Sequence, residues 1–204
     1  MNERYQNVYQ FKITLRDVTP PVWRHVQVPE TYTFWDLHVA IQDAMGWSDC
    51  HLHDFKLRKS GAPANDFLRL GIPEDGALVG EQDIADWTVR ISDWFLSEST
   101  TATYTYDFGD NWTHAVAFEE RLPRERGATY PRCVAGKRAC PPEDCGGPWG
   151  YADLLKIIRN PRRREHKEMM EWLGGPFNAE AFDPQEVMFD DPRKRLRELL
   201  KSHA

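Results

Sequence analysis

Long apolar runs are missing from this sequence, since no stretch approaches the roughly 18 residues that a transmembrane helix needs. Residues 1–4 also lack the pattern that opens a secretory signal. We therefore expect a cytoplasmic protein with no membrane partner. Cysteine is scarce too, with 4 in 204 residues. Because disulfides are disfavoured in the cytoplasm, clustered cysteines are expected to be metal ligands or reduced thiols.

Familiar catalytic motifs are missing as well. The sequence contains no phosphate-binding loop, no dinucleotide fingerprint, no Gly-x-Ser-x-Gly elbow and no helix motif with two metal-binding histidines. Nucleotide hydrolysis and hydride transfer therefore have no support from a motif.

Basic charge does not dominate, because 26 lysines and arginines stand against 32 aspartates and glutamates, for a net charge of -6. Broad electrostatic binding to nucleic acid normally needs a net-basic face. The arginine clusters at 159–164 and 193–197 lie beside acidic residues and indicate solvated helix faces. A protein partner is therefore favoured over a nucleic acid.

Tryptophan, by contrast, is abundant, with 8 residues spread over nearly the whole chain. An indole buries a large area and needs only one hydrogen-bond partner, so most of these residues are expected to be core or near-core anchors. Stacking of several of them on nucleic-acid bases is the alternative.

Alternating apolar residues predict two antiparallel strands, over residues 9–15 and 22–28. Thr33 and Asp36 have the spacing of a helix capping box, and the helix that they open should end at Gly46. Further strands are expected at three places: 51–57, near Leu68, and 87–91.

The clearest element is a β-hairpin. Residues 103–108 and 112–118 both alternate, and Gly109-Asp110-Asn111 between them is typical of a turn. Before the hairpin, residues 62–86 indicate an irregular, exposed excursion. The residues expected to form an aromatic row on the hairpin are Tyr104, Tyr106, Phe108, Trp112 and His114.

Helical signals follow the hairpin, with helices expected over 151–158, 163–173 and 192–200. Strands thus dominate about the first 120 residues and helices about the last 55, which favours an α+β fold over an α/β sandwich. Residues 1–204 are expected to form a single domain, with a C-terminal helix in 189–204, because no linker or repeat divides them.

The hairpin carries a recognisable motif, Tyr104-Thr-Tyr-Asp-Phe-Gly-Asp-Asn-Trp-Thr-His114. Together with Pro21-Val-Trp-Arg24, His51-Leu-His-Asp-Phe55 and Cys140-Pro-Pro-Glu-Asp-Cys145, it resembles the plasmid pRiA4b open-reading-frame-three-like family over residues 7–188. Members of that family are also labelled passenger proteins of mobile elements. The resemblance implies a compact α+β domain but implies no reaction.

Three of the four cysteines fall within thirteen residues, as Cys133, Cys140 and Cys145. Structural zinc sites usually pair cysteines two to four residues apart, and only the second spacing here fits. A bound zinc would need a fourth ligand, for which His114 is the first candidate. The other candidates are Cys50, His51 and His53. The alternative is that the cysteines are small buried residues.

A second set combines imidazoles with carboxylates and could hold a hydrolytic metal ion. Its two neighbouring histidines should share one strand face, where both could bind the ion. The set consists of His51, His53, Asp107, Asp110 and His114. Each member has a structural alternative: Asp110 as a turn residue, Asp107 as a partner of Arg24, and His114 as a core histidine.

Two smaller possibilities lie beside the cysteines. Glu143 and Asp144 could act as a general base or as hydrogen-bond acceptors at a helix end. Cys145 with His114 could form a thiol nucleophile, if the two residues meet.

Two functions are therefore carried forward. The first is a cytoplasmic binding or interaction module, with a structural zinc at the cysteine loop as its only cofactor. Its partner would be a protein, or a nucleic acid, associated with mobile DNA. The alternative is a small metal-dependent hydrolase that uses the histidine and aspartate set.

Overall fold

A computed structural model describes residues 5–58, 63, 66–73, 84–98 and 100–202. These residues form one eight-stranded mixed sheet with four α-helices, which confirms the α+β fold. The strands are β1 Asn7–Leu15, β2 Trp23–Pro29, β3 His53–Leu57, β4 Leu68–Gly71, β5 Ile84–Ala85, β6 Thr101–Tyr106, β7 Trp112–Pro123 and β8 Arg132–Lys137. The helices are α1 Phe34–Met45, α2 Gly147–Ile158, α3 His166–Trp172 and α4 Pro192–Ser202.

The sheet runs in the order β5-β4-β3-β6-β7-β1-β2-β8, with all described pairs antiparallel except β4 with β5. The predicted hairpin is β6 with β7, and Tyr104 lies opposite His114 in it. The predicted first pair is β1 with β2. Both predictions are confirmed because alternation and turn residues act over short distances.

Helix α1 packs its apolar face on the sheet, and its ends are those that the sequence predicts. The Thr33 hydroxyl accepts a hydrogen bond from the Asp36 backbone N–H at 3.2 Å, and the Asp36 carboxylate accepts one from the Thr33 backbone N–H at 2.9 Å. Gly46 ends the helix in the left-handed conformation, at φ 90°. Phe34 and Ile41 are fully buried against the sheet.

Six of the eight tryptophans are buried or half-buried, which agrees with the expectation that most are core or near-core anchors. Trp35, Trp47 and Trp112 are buried. Trp149 is 88% exposed and Trp172 is 47% exposed. Both exposed indoles lie on short C-terminal helices, where one apolar face is enough to pack the helix and the others remain in water.

Two local predictions are wrong, and one strand was not predicted. Residues 87–91 form 3₁₀ turns at Asp86–Thr88 and Ile91–Asp93 instead of a strand, because Ile91 turns inward and donates its N–H to the Tyr32 carbonyl oxygen. Phe108 is 46% exposed, because Asp107 adopts φ 55° and breaks the alternation of β6. Strand β8 has no counterpart among the predictions, since it is an edge strand without an apolar alternation.

Helix α4 attaches to α1 and to the loop that follows α1 through polar contacts. The Trp35 indole donates a hydrogen bond to the Pro192 carbonyl oxygen at 2.9 Å. Arg195 of α4 contacts Asp43 at 2.6 Å and Asp49 at 3.4 Å. No helix among the described residues is long and apolar enough to cross a membrane. Of the 62–86 excursion, residues 62, 64–65 and 74–83 lie outside the described residues.

Candidate functional site

The parts of the chain that carry the recognisable motifs meet at the turn between β6 and β7. The Asp110 carboxylate in this turn accepts a hydrogen bond from the Gly146 backbone N–H at 3.1 Å. A Cβ atom on Gly147 would lie 2.4 Å from the Asp110 carbonyl oxygen, so only glycine permits this close approach. The Trp47 indole donates to the Pro141 carbonyl oxygen at 3.0 Å and brings in a third segment.

These three segments place a set of ligand-type side chains side by side. The segments are the loop after α1, the β6–β7 turn, and the loop that leads into α2. We call the set the loop junction, and it consists of Cys50, His51, Asp107, Glu143 and Asp144.

The backbone at the loop junction is unusual, because several non-glycine residues there adopt the left-handed conformation. The described chain has six non-glycine residues with positive φ. Four of them surround the junction: Asp49, Asp107, Asn111 and Asp144, with φ between 55° and 57°. Aspartate and asparagine tolerate this conformation better than other residues, yet it is a form of strain that concentrates at functional sites.

His51 lies at the centre of the junction. Its Nε2 atom is 3.1 Å from the nearer Asp144 oxygen and 3.7 Å from oxygens of Asp107 and Glu143. The atom is shielded from water, yet none of these oxygens is in position to make a hydrogen bond with it. One imidazole nitrogen is thus surrounded by three carboxylates without being satisfied by any of them.

Glu143 is held by several donors at once. Its Oε1 atom accepts hydrogen bonds from the Ser48 backbone N–H at 2.7 Å and from the Ser48 hydroxyl at 3.0 Å. The Tyr106 hydroxyl lies 3.2 Å from both carboxylate oxygens. Burial, the Cys50 thiol and the Glu143 charge raise the pKa of Tyr106, so this phenol stays protonated and donates. Glu143 is therefore fixed in place by hydrogen bonds from Ser48 and Tyr106.

The junction contains two overlapping groups of possible metal ligands. One ligand atom from each of Cys50, His51 and Glu143 lies within 4.8 Å of the others, and the same holds for His51, Asp107 and Asp144. Imidazole and carboxylate ligands suit zinc and related divalent ions. The arrangement can therefore hold a divalent ion, with His51 common to both groups.

Three residues of the predicted histidine and aspartate set, His53, Asp110 and His114, belong to no ligand group with His51 among the described residues. His51 precedes β3, which begins only at His53, so strand alternation does not place the two rings on one face. His53 turns into the core, where its Nε2 atom lies 2.8 Å from Asp86. Asp110 ties the two loops together, as described above. Within the described residues, the ligand groups containing His51 include Asp107 but neither His53 nor Asp110.

The predicted pairing of Asp107 with Arg24 is wrong. Arg24 is buried and donates hydrogen bonds to four backbone carbonyl oxygens, those of Trp23, Ala44, Lys137 and Arg138. Asp107 instead accepts the Gly109 N–H at 2.9 Å and faces His51. The arginine satisfies strand and helix ends that would otherwise lack donors.

The cysteines are all reduced, and the structure does not gather Cys133, Cys140 and Cys145 with His114. None of these four residues belongs to a group of three ligand atoms within 4.8 Å, among the described residues. Zinc at the cysteines therefore remains a prediction from the sequence. Burial and Asp110 raise the pKa of Cys145 to about 12, which opposes a reactive thiolate there.

His114 is the core histidine that the structural alternative proposes. Its ring is fully buried between Trp47 and Tyr104, and its Nδ1 atom faces the Tyr104 carbonyl oxygen at 3.4 Å. Burial lowers the pKa of His114 to about 3. The ring is therefore neutral across the range in which an exposed histidine titrates.

This burial predicts a loss of stability in mild acid. As the pH falls from 6.5 toward 3, the unfolded chain protonates His114 but the folded chain does not, so the free energy of unfolding decreases. Between pH 7 and pH 5 the decrease from this residue should be about 2 kcal/mol. We expect urea unfolding of His114→Phe to lack this part of the pH dependence, while His166→Gln on α3 retains it. An unchanged pH dependence in His114→Phe would contradict the assignment.

A pocket of about 500 Å³ opens beside the loop junction. Cys50, His51 and Leu52 form one wall, and Arg195 and Leu199 of α4 form another. The pocket gives a small molecule access to the junction. Sequence reasoning missed the contribution of α4, because nothing local links residue 195 to residue 51. It also missed Ser48 and Tyr106 as partners of Glu143.

Sequence reasoning also missed a second ligand group, deeper in the fold. One ligand atom from each of His38, Asp49 and His53 lies within 4.8 Å of the others. The signal in the sequence was weak: His38 is a histidine on the apolar stripe of α1, a position that a satisfied core histidine fills as readily as a ligand.

Three comparisons place these features among known proteins. A family model described as plasmid pRiA4b ORF-3-like protein matches residues 7–186. The uncharacterized protein y4hQ of Sinorhizobium fredii is 36% identical over 201 residues, which cover 97% of this chain and 95% of that protein. The crystal structure of the protein of unknown function MM3350 from Methanosarcina mazei Go1 is 40% identical, with a TM-score of 0.81. The match covers 91% of this chain and 100% of the MM3350 chain.

Proposed function

Since this chain belongs to the plasmid pRiA4b ORF-3-like family, whose matched relatives have names that state no activity, we propose its function from the geometry of the loop junction. We propose that the loop junction binds a divalent metal ion and that the protein is a metal-dependent hydrolase. This is the alternative function that the sequence suggests, with its ligands reassigned from His53 and Asp110 to Glu143 and Asp144.

The observation that carries the proposal is the position of His51. Its Nε2 atom is shielded from water, has no hydrogen-bond partner and lies within 3.7 Å of oxygens from three carboxylates. Three carboxylates gathered around one nitrogen atom repel one another unless a cation lies among them. A divalent ion would satisfy the nitrogen and the carboxylates together.

The surroundings supply what a hydrolytic site needs besides its ion. A bound divalent ion lowers the pKa of a coordinated water and so provides a nucleophile at neutral pH. The Tyr106 hydroxyl and Ser48 orient Glu143 by hydrogen bonds, and such outer contacts are what position a metal ligand or a general base. The pocket of about 500 Å³ leaves room for a substrate beside His51.

The interaction module remains the second candidate, and an exposed side chain favours it. Trp149 is 88% exposed on α2, four residues beyond Cys145. An exposed indole is typical of a binding surface. A cytoplasmic location, a protein partner associated with mobile DNA and a structural zinc at the cysteines belong to this candidate. If no ion binds at the loop junction and no hydrolysis is detected, the interaction module becomes the stronger candidate.

The test of the hydrolase is metal binding followed by turnover. Protein stripped with a chelator is titrated calorimetrically with Zn²⁺ and with Mn²⁺. His51→Ala should lose one equivalent of bound ion, with at least about a 100-fold weaker affinity there, because it removes the ligand common to both groups. Hydrolysis of a phosphoester and amide panel should require the ion and should fall to background in His51→Ala.

Two matched controls locate the ion. His166→Ala removes an imidazole from α3 and should bind the ion as the wild type does. The double variant Cys140→Ser, Cys145→Ser removes the predicted zinc ligands and should also retain the junction ion. If the double variant loses the ion and His51→Ala keeps it, the ion belongs to the cysteine loop and the proposal is wrong.

A further inference from the structure

Two buried histidines stack face to face beneath the loop junction. His38 of α1 is fully buried, and His53 of β3 is 2% exposed. Their rings are 3.5 Å apart with planes within 6° of parallel, and the Trp35 indole packs against both. We call them the histidine pair. Two imidazoles in such contact cannot both carry a positive charge without strong repulsion, so the pair is not a cationic cluster.

One nitrogen of each ring is held by a buried partner. The Tyr104 hydroxyl lies 2.8 Å from His38 Nδ1, and an Asp86 carboxylate oxygen lies 2.8 Å from His53 Nε2. Asp86 is itself fully buried. A carboxylate on the far nitrogen is the arrangement that orients metal-ligating histidines and raises their basicity.

The other nitrogen of each ring has no hydrogen-bond partner. His53 Nδ1 and His38 Nε2 are both shielded from water and unsatisfied. An oxygen of Asp49 lies 3.0 Å from His38 Nε2, at contact distance but out of line for a hydrogen bond. Two free imidazole nitrogens and one carboxylate, from residues whose ligand atoms lie within 4.8 Å, form the ligand set of a three-residue metal centre.

From these contacts we propose that His38, His53 and Asp49 hold a divalent transition-metal ion of their own, separate from the ion of the loop junction. The ligand atoms are His38 Nε2, His53 Nδ1 and a carboxylate oxygen of Asp49. Asp86 and Tyr104 act as positioning residues on the opposite nitrogens. This inference does not depend on hydrolysis, because it rests on different side chains from those that carry the hydrolase.

The protonation of the ligands fits this role. Burial and the neighbouring His53 lower the pKa of His38, so its ring is neutral, as a metal ligand must be. Burial opposes ionisation of Asp49, but His38, His53 and Arg195 outweigh it and lower the pKa of that carboxyl group. The set therefore offers a neutral imidazole at His38 and a carboxylate at Asp49.

Binding requires two small adjustments. The lone pairs of parallel rings do not converge, so one ring must tilt out of the stack to share an ion. Gln42 donates its amide N–H to the Tyr104 hydroxyl, which turns the hydroxyl hydrogen toward His38 Nδ1 and leaves a proton on Nε2. The incoming ion therefore displaces one proton from His38, as is usual when a metal replaces a proton on its ligand.

The proposed site adjoins the pocket, although neither histidine lines it. Asp49 and Trp35 line the pocket of about 500 Å³, and the second Asp49 oxygen lies 3.4 Å from Arg195 of α4. The left-handed backbone of Asp49, at φ 57°, turns its carboxylate between α4 and the histidine pair. A three-residue set beside a pocket leaves coordination positions for small molecules.

The experiment uses Co²⁺ alone as the probe and His51→Ala as the parent, so that the loop junction does not contribute. We expect the parent to bind one equivalent of Co²⁺ with visible absorption bands. Adding His53→Gln should weaken binding at least about 100-fold, since its amide can still reach Asp86 but replaces no ligand at Nδ1. Asp49→Asn should weaken binding similarly, and Asp86→Asn should weaken it by about 10-fold.

Several outcomes would overturn the proposal. A parent that binds no Co²⁺, or that binds it equally well with His53→Gln, removes the site. Should His53→Gln not fold, His38→Asn serves instead, because its amide can still face Tyr104.

The parent also gives a direct readout, since bound Co²⁺ must broaden the NMR signals of both imidazoles. Signals that stay sharp at saturating Co²⁺ mean that an ordered water satisfies these nitrogens. If the wild type binds one ion and the His51→Ala parent binds none, the only ion is that of the loop junction and the proposal for the histidine pair is wrong.

Discussion

Replacing Arg24 by alanine is expected to lower the free energy of unfolding by about 4 kcal/mol, because four backbone carbonyl groups, two of them in fully buried contacts, lose their donor. The guanidinium bonds to carbonyl oxygens at 2.8 to 3.1 Å, on strand β2, at the end of α1 and after strand β8. It also stacks on the Phe182 ring, 3.6 Å from the ring centroid. One side chain therefore joins four separate parts of the chain.

The size of this effect follows from burial. Arg24 is 1% exposed and its contacts with the Ala44 and Arg138 carbonyl oxygens are buried, so water does not already compete for those two groups. Each buried acceptor that loses its donor costs about 1–3 kcal/mol. Water that enters the space left by alanine can bond to some of these acceptors and reduces the total cost. Arg24→Lys should recover only part of the loss, since an ammonium group cannot span four acceptors in the plane of a guanidinium.

Urea unfolding monitored by tryptophan fluorescence measures this loss. Arg126→Ala, an exposed arginine in the connection between β7 and β8, is the matched control and should keep the wild-type midpoint. An Arg24→Ala midpoint equal to that of Arg126→Ala would mean that the carbonyl groups do not depend on the guanidinium.

Gly147→Ala is expected to separate the loop before α2 from the β6–β7 turn. A Cβ atom there would lie 2.4 Å from the Asp110 carbonyl oxygen, and the residue has φ 67°. Left-handed strain and overpacking together should lower the free energy of unfolding by about 2–4 kcal/mol. Because Glu143 and Asp144 belong to the displaced loop, metal affinity at the loop junction should fall as well.

Gly174→Ala provides the control for strain without a clash. Gly174 has φ 69°, but a Cβ atom on it would contact nothing within 4 Å. The free energy of unfolding of this variant should therefore fall by only about 1 kcal/mol, because of the left-handed backbone, and the variant should retain the junction ion. Chemical denaturation and calorimetric Zn²⁺ titration of the two variants separate these effects. Equal losses in both variants would indicate that the contact between Gly147 and Asp110 contributes nothing.

Elements with local signals were predictable from the sequence. The β6–β7 hairpin, the β1–β2 pair and the capped helix α1 are encoded by alternation, turn residues and caps, each of which acts over a few residues. The edge strand β8 lacks such a signal, and its sequence gains a strand conformation only by pairing with β2. The 3₁₀ turns at Asp86–Thr88 and Ile91–Asp93 likewise depend on packing against the segment before α1.

The family motifs identified important positions without assigning their partners. Asp107 and His51 could be named as ligands from their residue types, but their actual neighbours Glu143 and Asp144 are about ninety positions beyond His51 in the sequence. Three members of the predicted metal set lie outside the ligand groups of His51, and one of them, His114, is buried in the core. His53 begins a strand and turns inward, whereas Asp110 is used to anchor a loop.

By itself the sequence determined the α+β class, the main strands and helices, and the family, because these depend on periodicity and on short motifs. Only the tertiary structure decided which side chains meet. It joined His51 to Asp144, His38 to His53, and Arg24 to three carbonyl groups that are distant in the sequence. The physical reason is that loop side chains are directed by individual backbone angles, such as the left-handed φ of Asp107 and Asp144, and by contacts that form only when the chain has folded.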